Sequence, residues 1–166
     1  MSAGPPPLRP FGLVLHHDGC FSHEGEPILH RKLREHFERS VGYLPDEKKF
    51  IVHLQDFRGE VEVEEAGFFV REIDLDLGEV LLSDGTRESL ELSSLANSSI
   101  DGALLCRVKR GLVAGGLLAR FSHSAQADLL QAVEWDAEAL AIVIGGKQLS
   151  FPDLDADQPD GDPGLD

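Results

Sequence analysis

Positive charge, sulfur and aromatic bulk are all scarce in this chain. Lys and Arg together number 15 against 30 Asp and Glu, a formal net charge of −15 at pH 7. That balance argues against general binding to nucleic acid or to an anionic membrane surface, since both need a basic face. Cys20 and Cys106 are the only cysteines, too few for a disulfide framework. No apolar run approaches the roughly 20 residues of a membrane-spanning helix. No glycine-rich nucleotide loop is present. The opening Met-Ser-Ala-Gly-Pro-Pro-Pro has neither the basic nor the apolar region of a signal peptide, so a cytoplasmic protein is expected.

Hydrophobic residues make up 42% of the 166, enough for a real core. Their spacing is mostly that of strands. Leu13, Leu15 and His17 alternate with Val14 and His16, and Asp18-Gly19 supplies the residues of a tight turn. A two-residue turn there sets His17 against Cys20, His16 against Phe21 and Val14 against His23. Further strands are expected at Phe50–Leu54, Glu60–Glu64, Phe68–Leu77, Val80–Leu82, Ser89–Leu92 and Ala103–Lys109, with a closing hairpin around Gly145-Gly146.

Two helices interrupt this pattern. Pro27 marks the first, in which Ile28, Leu29, Leu33, Phe37 and Val41 form an apolar stripe that ends before Gly42. The second runs from Ala125 to Glu134, capped by Ser122 or Ser124. Strands outnumber helices and no strand–helix alternation runs along the chain. The expected fold is therefore α+β, with largely antiparallel β-rich modules of roll or partial-barrel type and two short helices. The expected division is a disordered segment over 1–10, a hairpin–helix–sheet module over 11–77, a β-rich module with one helix over 78–151, and a disordered acidic tail over 152–166. The expected core is Leu13, Leu15, Leu33, Phe37, Val61, Val63, Ile73, Leu75, Val108, Leu129, Val133 and Ile142.

Asp18-Gly19 followed by His23-Glu24-Gly25-Glu26-Pro27-Ile28 resembles the opening of a bacterial family known only as domain of unknown function 1285. Val61-Glu62-Val63-Glu64 is similar to that family's acidic strand. The run Leu105 to Leu112, the helix with Leu129-Leu130, and Ile144-Gly145-Gly146 with Phe151 resemble its second half. The resemblance spans Phe11 to Phe151 and implies two small β-rich modules, each with a helix. Cys20-Phe21-Ser22 departs from the more aromatic strand of the family, and the acidic tail is extra. The family brings no established activity.

Four groups of residues carry candidate chemistry. His16, His23, Glu24 and His53 are the ligand types of a metal site. His16 and His17 should point to opposite faces of a strand, however, so no bound metal is expected. Cys20 near His17 has the makings of a thiol–imidazole pair, but no oxyanion-binding partner accompanies it. Glu60, Glu62, Glu64, Glu72, Asp74 and Asp76 form an acidic stripe that reads as a solvated face. Finally, His30, Arg31, Lys32, Arg34 and Arg39 concentrate positive charge on one helix of an acidic protein, and would suit an anionic group or an acidic partner.

No set of residues assembles nucleophile, base and stabiliser in named roles, so no catalytic residue is assigned and no cofactor is expected. The sequence favours a non-enzymatic binding or regulatory module that uses the basic helix and the acidic tail. The alternatives are a small metal- or thiol-dependent enzyme built on the His/Cys hairpin, or a structural subunit of an oligomer. A protein or a small anionic ligand is the expected partner, with a homodimer left open.

Overall fold

The computed structural model describes residues 7–136 and 138–154. The first sheet holds β1 (Leu8–Leu15), β2 (Phe21–His23), β3 (Glu26–Pro27), β4 (Gly42–Leu44), β5 (Lys49–His53) and β6 (Arg58–Val63) in the order β3-β2-β1-β6-β5-β4. The second holds β7 (Phe68–Asp74), β8 (Glu79–Leu82), β9 (Arg87–Ser89), β10 (Ala96–Asn97), β11 (Leu104–Val108) and β12 (Leu117–Phe121) in the order β10-β11-β12-β7-β8-β9. A third sheet is the meander β13 (Glu134–Asp136), β14 (Ala139–Ile144) and β15 (Lys147–Ser150). Helix α1 spans Arg31–Ser40 and α2 spans His123–Gln131.

The two larger sheets share one topology. Each is a pair of three-stranded antiparallel meanders joined by a parallel pair at its centre, β1 with β6 in the first and β7 with β12 in the second. Both sheets and α2 contribute to one hydrophobic cluster, with Leu13, Phe37, Phe68, Val80, Leu104, Phe121, Leu129 and Ile142 all but sealed from solvent. The fold is α+β, as expected, and no barrel closes among the described residues. The boundary expected at residues 77–78 lies in the turn between β7 and β8, two paired strands of the second sheet. Most of the expected disordered ends, 1–6 and 155–166, lie outside the described residues.

Two local expectations around the first hairpin fail for physical reasons. The β1–β2 connection is a three-residue turn, not a two-residue one. His16 N–H donates to Cys20 O at 2.8 Å and Gly19 N–H to His16 O at 3.0 Å, with Gly19 at φ +91°. That is a tight turn completed by a glycine bulge. The register consequently moves by one, pairing Leu13 with His23, Val14 with Ser22 and Leu15 with Phe21. The shift carries Phe21 into the core beside Leu13 and Leu15.

Helix α1, in turn, begins at Arg31 and not at Pro27. Glu24 (φ 50°) and Gly25 (φ +86°) make the tight two-residue hairpin turn instead, and Glu26-Pro27 pairs with β2 as an edge strand where proline is tolerated. Ile28 N–H then donates to Phe21 O, holding the chain extended. The apolar stripe shrinks accordingly. Phe37 is buried, whereas Leu29 is 80% and Leu33 40% exposed, so Leu33 leaves the expected core. Val63, Ile73, Leu75 and Val133 pack at its margin, and the other seven expected members are buried. The second helix is capped by Ser122, whose Oγ accepts from Ala125 N–H at 3.2 Å, and it stops at Gln131 because Glu134 enters β13.

Candidate functional site

A cleft of about 530 Å³ lies where α1, the β1–β2 turn, β7 and the start of α2 meet. Its cations are Arg31, Arg34, Arg71 and Arg120, and its carboxylates are Asp18, Glu35 and Glu38. Phe21, Phe69 and Phe121 line its apolar part.

Most of the positive charge here is already paired. Arg31 Nε donates to Glu35 Oε1 at 3.0 Å, one turn along α1. Arg71, on the exposed face of β7, forms an ion pair with Glu38 and lies 5.8 Å over the Phe69 ring. Burial lowers the Arg71 guanidinium from its ordinary value but leaves it charged at neutral pH. Arg120 is held by Glu65 at 3.0 Å and by Asp101. Its hydrogen bond holds the Asp101 carboxyl down at about 2. Arg34 is the exception. Among the described residues it enters no ion pair, and its charge acts on the Cys20 thiol across the cleft.

The basic-helix residues therefore divide. Arg31 and Arg34 face the cleft, while Lys32 and Arg39 are exposed elsewhere on α1 and do not line it. His30 serves as the N-cap, its Nδ1 accepting from Leu33 N–H at 3.3 Å, so that ring nitrogen is engaged in ending the helix. Arg71 and Arg120 escaped the sequence reading. Their signal was there, a single guanidinium in each of two apolar runs, Phe68-Phe69-Val70-Arg71 and Leu117-Leu118-Ala119-Arg120-Phe121.

The metal candidates do not converge. His23 stacks on Phe11 with ring centroids 4.6 Å apart. Glu24 sits in the β2–β3 turn, and the backbone carbonyl of His53 receives the His36 ring N–H at 2.9 Å. Among the described residues no three His, Cys, Asp or Glu side chains are placed to hold a metal ion.

The expectation that His16 and His17 diverge is corrected. β1 ends at Leu15, so His16 flanks the turn and His17 lies within it, and both reach one carboxylate, Glu64. His17 is thereby committed to Glu64 and does not pair with Cys20. Burial and the Asp18 carboxylate both push the Cys20 thiol up from its ordinary value, away from the thiolate that nucleophilic work requires. The acidic stripe also divides between sheets. β6, with Glu60 and Glu62, pairs with β1 and β5, whereas Glu72 and Asp74 lie on β7. Glu60 meets Lys49 at 2.5 Å.

No family model and no curated protein matches the chain. Among solved structures it superposes on a DUF1285 family protein from Silicibacter pomeroyi DSS-3 with a TM-score of 0.57 and 16% identity, covering 91% of this chain and 89% of that one. A DUF1285 family protein from Shewanella baltica OS155 gives a TM-score of 0.49 at 13% identity over 73% of this chain and 91% of its own. The first likeness is one of fold, over nearly the whole length of both chains.

Proposed function

We propose that this chain, folded like a DUF1285 family protein, is a binding module that takes an anionic group into the cleft between α1 and β7. One observation carries the proposal. Among the described residues Arg34 lines the cleft with no carboxylate partner, while its three neighbouring arginines each have one. An incoming carboxylate or phosphate would complete that set through charge-assisted hydrogen bonds, each worth about 1.5–3 kcal/mol. The aspartates of the acidic tail are an internal competitor in this reading. A tethered segment competes at up to roughly millimolar effective concentration where its length spans the gap.

The test is equilibrium binding of citrate and of inorganic phosphate to the full chain at low salt. Arg34→Gln should weaken both by about tenfold or more, the effect of losing one charge-assisted bond. Ending the chain at Leu154 should strengthen them, and added salt should weaken them. Equal affinity in native protein and Arg34→Gln would remove the cleft from the account.

A further inference from the structure

Beside the β1–β2 hairpin lies a second groove, of about 770 Å³, with a different chemistry. The strand register builds it. Val14 and His16 are two residues apart and share a face, and Ser22 stands opposite Val14, so Ser22 and His16 meet on that face. The parallel pairing Leu15↔Val63 then brings Glu64 alongside His16, and Glu64 N–H donates to Leu15 O at 2.9 Å.

The outcome is a chain of contacts. Ser22 Oγ lies 2.9 Å from His16 Nε2, and His16 Nδ1 lies 3.0 Å from Glu64 Oε2. Hydrogen bonds from the two histidines lower the Glu64 carboxyl from its ordinary value, so it is ionised at neutral pH and can only accept. His16 Nδ1 is therefore the donor. In the neutral ring Nε2 is then bare and accepts the Ser22 hydroxyl proton. His17 Nδ1 occupies the other oxygen of Glu64 and fixes its orientation.

We propose that Ser22, His16 and Glu64 form a nucleophile–base–carboxylate relay that passes the acyl group of a small neutral ester to Ser22 Oγ and then to water. This is the arrangement in which a base within hydrogen-bond reach activates a hydroxyl and a third group orients the base. Ser22 Oγ bonds to the ester carbonyl carbon as its proton moves to His16 Nε2. The carbon–oxygen bond to the leaving alkoxide then breaks, and that oxygen takes the proton from Nε2. Water attacks the acyl-serine with His16 again receiving the proton, which returns to Ser22 Oγ as the carboxylic acid departs. Glu64 is a positioning residue.

The walls set the substrate class. Asp18, Glu62 and Glu64 disfavour an anionic substrate, while Val14, Pro27 and Val63 offer apolar contact for a short acyl chain. A general base contributes about 10²–10⁴-fold, which favours an ester with a good leaving group.

The probe is p-nitrophenyl acetate with the full chain, following nitrophenolate release and locating the acetyl group by peptide mapping after a rapid quench. The native protein should carry the acetyl group transiently on Ser22. Ser22→Ala and His16→Gln should each lower kcat/KM by about a hundredfold or more. Glu64→Gln should lower kcat and leave KM within about twofold, the mark of an interaction made in the transition state. An acetyl group found only on Cys20, on lysines or on other imidazoles would overturn the relay, as would a native rate in Ser22→Ala. The mapping uses unsubstituted protein, so it decides the matter even where a variant folds poorly.

Discussion

Removing the Arg120 guanidinium should cost more stability than any other single charge change. Arg120 lies on β12 and is 6% exposed. It ties Glu65, in the link between the first and second sheets, to Asp101, in the β10–β11 loop. The Glu65 side chain is itself only 8% exposed, and its other oxygen accepts from Ser98 Oγ at 2.5 Å. Arg120→Met would fill the space with an apolar chain but leave Glu65 a buried charge with no cation. Breaking a buried pair in this way costs about 3–5 kcal/mol. For a domain of this size that lowers Tm by about 6–20 °C. Adding Glu65→Gln should recover a substantial part, because the penalty belongs to the stranded charge.

The acid limb should change too. Asp101 has its folded pKa lowered to about 2 by Arg120, so its contribution is present above the ordinary carboxyl value near 4 and is lost as pH falls toward 2. In Arg120→Met that part of the acid destabilisation should disappear. Urea unfolding followed by circular dichroism, repeated at several pH values, reads both effects. A loss under about 1 kcal/mol, or a double variant no more stable than the single one, would refute the argument.

Two further substitutions probe the fold. Phe37→Ala should cost about 3–5 kcal/mol because the ring is 2% exposed, whereas Leu33→Ala on the same helix should cost under about 1 kcal/mol; chemical denaturation of the pair checks where α1 packs. Gly116→Ala should destabilise by about 1–3 kcal/mol, since the residue has φ +77° and a Cβ there would lie 2.7 Å from Val108 O; a thermal melt reads it.

The parts of the fold that hydrophobic alternation determines were legible. Leu104, Cys106 and Val108 are buried on one face of β11 as their spacing requires, and Asp84-Gly85 does turn β8 into β9, although that strand is Arg87–Ser89 and not the expected Ser89–Leu92, whose end enters a 3-10 turn at Leu92–Ser94. Two other features were not legible. Both Asp18-Gly19 and Glu24-Gly25 can turn a hairpin, and local composition does not say which takes two residues and which takes three. That single choice fixed the register of β2, the face of Phe21 and Ser22, and the start of α1. The parallel pairs β1–β6 and β7–β12 join strands far apart in the chain, and nothing local encodes such pairing. The cleft inherits this limit. Arg31 and Arg34 were visible as a basic helix, but Arg71 and Arg120 join them only through the tertiary fold.

Amide chemical-shift mapping of the full chain during a citrate titration at low salt is the sharpest test of the proposed anion binding in the cleft. Saturable shifts are expected along the cleft-facing side of α1 around Arg31 and Arg34, at Asp18–Cys20 and at Arg71, and in Arg34→Gln they should need about tenfold more citrate or beyond. Unmoved amides at those positions, or shifts confined to the exposed Lys32 and Arg39 side of the helix, would contradict it.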